Sequence, residues 1–329
     1  METPLGADAT MKAAAIDRFG PAAVLTLHTL LVPQPGPNEV LIALHVAGVG
    51  VWDALIRNGS WQPVGPPNFP VVPGTDGAGV VVAKGARVTR FNIGERVYAS
   101  EYDNPKGGFY AEYVAVKAEH VARVPARLDF LQAGAVATTG LTALQGIDDA
   151  LRLRRGETLF IYGASGAVGT LAVQCAKARR ARVLATASGQ EGAALIQQLG
   201  ADAVINGRRS DACERLRELA PGGVDAALVL ANGRWLDALL GLVRVGGRVA
   251  YPNGVEPAPR RRRGIRLLAY DAVAGTREFA RLQRAVTAAK LQVPVARVYP
   301  LALASKAHSR LERGHVLGRI VLQVRSEED

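Results

Sequence analysis

The chain has 329 residues, 49% hydrophobic and 36 of them glycine, which suits one large or two ordinary globular domains and excludes a disordered protein. No apolar run is long enough to cross a bilayer, and METPLGADAT lacks the basic-then-apolar pattern of a signal peptide, so a cytoplasmic protein with no membrane partner is expected. The formal charge of +11 comes from scattered arginines and one run at 260–263 in a loop composition; it attracts anionic small molecules as readily as nucleic acid, which is not the expected main partner.

Residues 1–10 read as a flexible tail, and MKAAAIDRFG opens the first strand at Met11. From there to about Pro125, short strands are punctuated by glycine and proline, as in HTLLVPQPGPNEVLIALHVAGVG and VVPGTDGAGVVVAKGARVTRFNIGERVYA. That spacing predicts a compact β domain. From about 130 the rhythm changes. Strand TLFIY (158–162), helix 166–179, strand RVLAT (182–186) and helix 191–199 follow in turn. Then come strand 203–205, helix 211–219, strand 224–230, helix 233–243, strand 247–251 and strand 265–270. Strands alternating with helices predict a parallel sheet covered on both faces. REFARLQRAVTAAK, RVYPL and GRIVLQV return to a helix and isolated strands, which complete the first domain. The expected α/β fold therefore divides into a tail (1–10), a β domain (11–125 plus 276–329) and a doubly wound domain (126–275) inserted within it.

TLFIYGASGAVG places Gly163, Gly166 and Gly169 between a buried strand and an amphipathic helix. Such a turn leaves free N–H groups at a helix start, where the dipole favours an anion. Glycine at 166 would admit a dinucleotide's diphosphate, and Gly169 would let the helix pack close to the sheet. Gly163, Ala164, Ser165, Gly166, Ala167 and Val168 are the cradle residues. The G-x-G-x-x-G pattern carries Ala164 where a glycine is usual. The next strand ends Thr186-Ala187-Ser188-Gly189 without the acid that binds a ribose 2′-hydroxyl, which favours NADP(H) over NAD(H). Ser188 is placed to hydrogen-bond a 2′-phosphate, and Arg208 or Arg209 to supply charge, while Glu191 nearby is a counter-signal.

Cys175 and Cys213 are too few for a disulfide framework or a cysteine-rich metal site. The five histidines are dispersed without ligand-like spacing, and His308 and His315 read as structural.

HVAGVGVWDALIRNG (45–59), VVPGTDGAGVVVAKG (71–85), FNIGERVYA (91–99), GGFYAEYVAV (107–116), AGAVATTGLTAL (133–144), GASGAVG and GHVLGRIVLQV (314–324) together resemble the medium-chain dehydrogenase/reductase superfamily. The resemblance runs from Met11 onward and is nearest to the zinc-free quinone oxidoreductase (zeta-crystallin-like) branch. It implies a GroES-like β domain with an inserted Rossmann-type sheet and an active site in the cleft between them. It also implies a homodimer, for which IRLLAY is the candidate interface. The positions that match the zinc ligands of the alcohol dehydrogenase branch are Gly50, Thr75 with Asp76, and Ala135, a poor donor set. No zinc is expected.

The resemblance sets Gly50, Val51, Trp52 and Asp53 near the nicotinamide, Thr139 in cofactor contact, and Leu230, Ala231, Asn253 and Gly254 at the later sheet ends. The implied reaction is hydride delivery from NADPH to a quinone or an α,β-unsaturated carbonyl. Trp52, Asp53 and Tyr110 are the candidate catalytic, pocket-lining residues. Solvent, Tyr102, Tyr110 and Tyr270 stand as alternative proton sources. An enoyl-thioester reductase, with the 260–263 loop drawing a phosphorylated carrier, is an alternative; so is an NADPH-binding protein that acts through RNA or protein.

Overall fold

The structure is a computed structural model that describes residue 6, residues 8–61 and residues 68–325. The first half of the chain is built from β1 (Thr10–Ala15), β2 (Thr26–Leu31), β3 (Glu39–Val49), α1 (Val51–Asn58), β4 (Asp76–Lys84), β5 (Arg96–Ser100), β6 (Tyr113–Lys117) and β7 (Val121–Arg123). The tail expected over 1–10 lies mostly outside the described residues, and its inner end is already strand, with Thr10 paired to Leu31. β3 is the spine of this half. It pairs antiparallel with β4 and β6, and two register shifts against β4 bend it, so the sheet curls around its own buried face.

α2 (Phe130–Gln145) starts on a capping box, with Asp129 accepting from the Gln132 N–H. A π-turn at Gly146–Ala150 ends it. The alternating part follows: β8 (Thr158–Tyr162), α3 (Ala167–Ala178), β9 (Arg182–Thr186), α4 (Gly189–Gln198), β10 (Ala203–Ile205), α5 (Ala212–Leu219), β11 (Val224–Val229), α6 (Leu236–Leu240), β12 (Val243–Pro252) and β13 (Arg266–Tyr270). These six strands form one parallel sheet in the order β10-β9-β8-β11-β12-β13. TLFIY is apolar on both faces because both are covered: Leu159 and Ile161 join the core under α3, Phe160 and Tyr162 the one under α5 and α6. The chain steps from β8 to β9 on one side and reaches β11 on the other, so a crevice opens at the carboxyl end of β8.

Two elements differ from the sequence expectation. The helix expected over 233–243 is confined to Leu236–Leu240, because Asn232 closes a turn onto the Gly233 N–H and Val243 already pairs with Val224. β12 accordingly begins at Val243, ahead of the expected 247.

The chain ends with α7 (Thr276–Ala288), β14 (Val295–Pro300), α8 (Ala304–Glu312) and β15 (Arg319–Gln323). β15 returns to pair with β3, closing a seven-stranded sheet in the first half. At its start, Gly318 bridges Gly166, and the Gly318 N–H donates to the Ser165 carbonyl at 3.0 Å. This contact holds the glycine turn of one sheet against the terminal strand of the other. Among the described residues no helix is long and apolar enough to cross a membrane.

Candidate active site

A cleft of about 800 Å³ lies between the two sheets. Its floor starts at the glycine turn, where Gly163 has φ 86° and the Thr186 hydroxyl accepts from its N–H. Gly163, Ser165, Gly166, Ala167 and Val168 line the cleft. Ala164 does not: it is fully buried, with its N–H on the Thr186 carbonyl. The glycines do different work. A Cβ on Gly166 would meet nothing nearer than the Gly163 carbonyl at 3.7 Å and would project into open space. On Gly169 it would strike the Ala164 carbonyl oxygen at 2.4 Å. Gly166 thus leaves a cradle that a side chain would fill, beside N–H groups that the first turn of α3 leaves free. These features fit a dinucleotide diphosphate.

Along the cleft toward β9, Ser188 and Arg208 both face in. Arg209 turns away to pair with Asp211 at 2.9 Å. Glu191 does not line the cleft. On the opposite side of β8 stand Leu230 and Ala231 after β11, then Asn253 and Gly254 after β12, with Asn253 Nδ2 donating to Asp271 at 2.7 Å. Thr139 of α2 lines the cleft, its hydroxyl bonded to the Ala135 carbonyl at 2.6 Å.

The far wall is aromatic. Gly50, Val51 and Trp52 at the start of α1 face the cleft. Trp52 meets Trp61 edge-on at 5.7 Å, and Trp61 meets Tyr102 at 5.9 Å. Such a wall accommodates a flat, electron-poor ring.

Two of the three expected catalytic residues are corrected by their burial. Asp53 and Tyr110 are both fully buried and do not reach the cleft. Asp53 Oδ2 accepts from the Gly50 N–H at 2.7 Å, capping α1, and from the Tyr110 hydroxyl at 3.2 Å. Tyr110 Oη lies 2.9 Å from His308 Nε2, and His308 Nδ1 lies 3.1 Å from Arg57 Nη1. A guanidinium only donates, so Nδ1 accepts and Nε2 carries the proton toward Tyr110. The bonds run one way, from Arg57 to His308 to Tyr110 to Asp53. Burial, with the Asp76 charge adding to it against Arg319, pushes the Asp53 carboxyl up to about 7. Burial, then the Arg57 charge, pushes His308 down to about 3. Burial holds the Tyr110 hydroxyl well above its usual range. The group supports α1 from beneath.

Tyr270 lines the cleft, but its hydroxyl donates to the Thr142 carbonyl at 3.0 Å. Tyr102 is more than half exposed at the mouth.

Sequence reasoning missed Arg319. Its Nη2 donates to Asp76 Oδ1 at 2.8 Å, and it lines the cleft with its Nε buried and unpartnered. A Cβ on Gly50 would lie 3.2 Å from both terminal nitrogens. In GRIVL this arginine is indistinguishable from an ordinary strand residue, so no sequence signal marks it. His315 was missed too: read as structural, it lines the cleft.

A zinc ion does not fit the residues at the matching positions. Gly50 and Ala135 offer no donor side chain, and Ala135 is buried inside α2. Asp76 spends Oδ1 on Arg319 and Oδ2 on the Thr138 N–H. The site beside Gly50 is taken by a guanidinium.

Known proteins share this construction. Residues 36–126 match the alcohol dehydrogenase GroES-like domain model, and residues 199–322 match the zinc-binding dehydrogenase model. Quinone oxidoreductase from Sus scrofa is 31% identical over 326 residues, covering 95% of this chain and 97% of the relative. A solved NAD-dependent alcohol dehydrogenase superposes with a TM-score of 0.88 at 30% identity, over 96% of this chain and all of that one. Escherichia coli quinone oxidoreductase complexed with NADPH does so with a TM-score of 0.85 at 25% identity, over 96% of this chain and all of that one. The chain is an oxidoreductase enzyme that belongs to the medium-chain dehydrogenase/reductase superfamily, in its quinone oxidoreductase branch.

Proposed function

We propose that the protein is a zinc-independent, NADPH-dependent reductase of quinones or α,β-unsaturated carbonyls. One observation carries the reading: a single cleft joins a glycine turn suited to a diphosphate to an apolar wall of Trp52, Trp61 and Tyr102, with no metal-ligand set among the described residues. The NADPH-complexed quinone oxidoreductase of Escherichia coli supports the cofactor assignment, as does the lack of an acid at the end of β9.

Gly163, Ser165, Gly166, Ala167 and Val168 would hold the diphosphate, and the buried Ala164 would brace the turn from beneath. Gly50, Val51, Thr139, Leu230, Ala231, Asn253 and Gly254 would position the nicotinamide half, and Ser188 with Arg208 the adenosine half. When bound, NADPH supplies a hydride. The tryptophans orient the acceptor ring and keep water from it. Tyr110 and Tyr270 direct their hydroxyl protons to other partners, which leaves Tyr102 and solvent as proton sources. In this reading residues 11–125 with 276–329 form the substrate half and 126–275 the cofactor half. The protein works in the cytoplasm, where Cys175 and Cys213 stay reduced. The outer edge of β13, unpaired among the described residues, joins two copies into a dimer.

Purified protein mixed with NADPH and 9,10-phenanthrenequinone or 1,2-naphthoquinone should consume the reduced-nicotinamide absorbance. Absence of turnover across a broad quinone and enone panel would sink the assignment. A second reading, reduction of an enoyl thioester, draws on the arginine loop at 260–263, which follows cleft residues and leaves Arg260 84% exposed on its side chain. Crotonyl-CoA turnover faster than quinone turnover would select it.

A further inference from the structure

We propose that His315 completes the subsite for the cofactor's 2′-phosphate and is the residue that sets preference for a phosphorylated over an unphosphorylated nicotinamide dinucleotide. The proposal deepens the NADP(H) reading above and rests on it.

Ser188 stands at the N-cap of α4, a position where serine ordinarily bonds a helix N–H; here its side chain caps nothing. Its Oγ lies instead 3.0 Å from His315 Nδ1. On the other side of the ring, Arg208 Nη2 bonds His315 Nε2. All three side chains line the cleft. Among the described residues Arg208 forms no ion pair, whereas its neighbour Arg209 is spent on Asp211.

The ring is held in place deliberately by its own turn. His315 has φ 54°, in the left-handed region. Arg310 fixes that backbone, donating to the Gly314 carbonyl at 2.7 Å and to the His315 carbonyl at 2.9 Å. Ser188 and Arg208 follow strands of the six-stranded sheet, while His315 lies on the turn that leads into β15 of the other. The three therefore meet across the cleft.

Among the described residues these side chains hydrogen-bond only to one another, which leaves Arg208 N–H groups and the Ser188 hydroxyl proton unspent. Arg208 donates, so His315 Nε2 accepts and its Nδ1–H donates to Ser188. A phosphate monoester brings close to two negative charges and acceptor oxygens only. It would draw the Arg208 guanidinium, the Ser188 hydroxyl and the His315 ring onto itself as charge-assisted bonds. Among the described residues the carboxylates that line the cleft are Asp103, next to the aromatic wall, and Asp271, bonded to Asn253 on the opposite side of β8. Neither opposes an anion at His315. A bare ribose hydroxyl offers no such charge, so the cluster discriminates between the two dinucleotides.

The test compares wild type with H315N and H315K. Asparagine tolerates positive φ, and Lys290 already adopts φ 49° in this chain, so both changes suit the backbone. Kinetics with NADPH and NADH on an accepted quinone should show the ratio of kcat/KM falling about tenfold in H315N and preserved in H315K. Calorimetry should show H315N weakening adenosine 2′,5′-bisphosphate binding with no matching change for 5′-AMP. An unchanged ratio in H315N, an equal loss with both dinucleotides, or an H315K that behaves like H315N overturns the proposal. The calorimetric arm needs no turnover, so a protein that reduces no quinone would refute the reaction assigned above without deciding this one.

Discussion

Asp53 and His308 sit in one buried chain of hydrogen bonds with displacements of opposite kind. A carboxyl raised from 3.8 to about 7 binds its proton more tightly folded than unfolded, so its contribution to stability falls as pH rises from about 4 to about 7. A histidine lowered from 6.5 to about 3 does the reverse: its contribution falls as pH drops from about 6.5 to about 3. Between about pH 4 and 6.5 the two slopes oppose each other. D53N mimics the protonated acid and removes one of them. It should lose stability relative to wild type on acidification over that window, by about 1 kcal/mol per pH unit, and keep a constant difference from wild type above about pH 7, where Asp53 is ionised both folded and unfolded. Urea titrations across pH measure this; parallel curves for the two proteins would refute it. The resemblance offered Asp53 as a cleft residue beside Trp52, where α1 does face the cleft, and Tyr110 as a proton source. A helix one residue further on turns its side chain to the core, and here that side chain caps the helix through Gly50.

The glycine turn between β8 and α3 was legible as an element because strand, glycines and helix each left a separate mark: an apolar run, small residues at 163, 166 and 169, and amphipathic spacing. The pattern alone does not say which glycine serves the ligand and which the packing. The clash distances do. G169A should destabilise the fold, since its Cβ would overlap the Ala164 carbonyl carbon at 2.6 Å and push α3 off β8; a loss of about 1–3 kcal/mol is expected. G166V should keep its melting temperature within a few degrees and lose NADPH binding, because its side chain would fill the open cradle. Thermal melts and calorimetry on the pair check this, and a G166V protein that still binds NADPH normally would remove the cradle from the account. α6 was read too long for the opposite reason. LDALLGLVRV carries apolar residues that suit either period, and pairing of Val243 with Val224 decided in favour of strand.

At the scale of the whole molecule the cleft exists because β15, near the end of the chain, returns to β3 and touches the glycine turn through Gly318. A cofactor held there contacts both sheets. NADPH at roughly a hundred times its Kd should therefore stabilise the protein by about 2.7 kcal/mol and shift one cooperative melting transition. Two transitions, only one of them responding, would argue that the halves melt independently of the cleft. The sequence by itself determined the α/β class, the order of most strands and helices, and the glycine turn, because each depends on periodicity and backbone chemistry within some thirty consecutive residues. Tertiary structure alone decided that Arg319 stands beside Gly50 and Asp76, that His315 reaches Ser188 and Arg208, and that Asp53 and Tyr110 turn inward. Those pairings join positions separated by 57 to 269 residues, and the direction in which a side chain meets such a distant partner leaves no trace in local pattern.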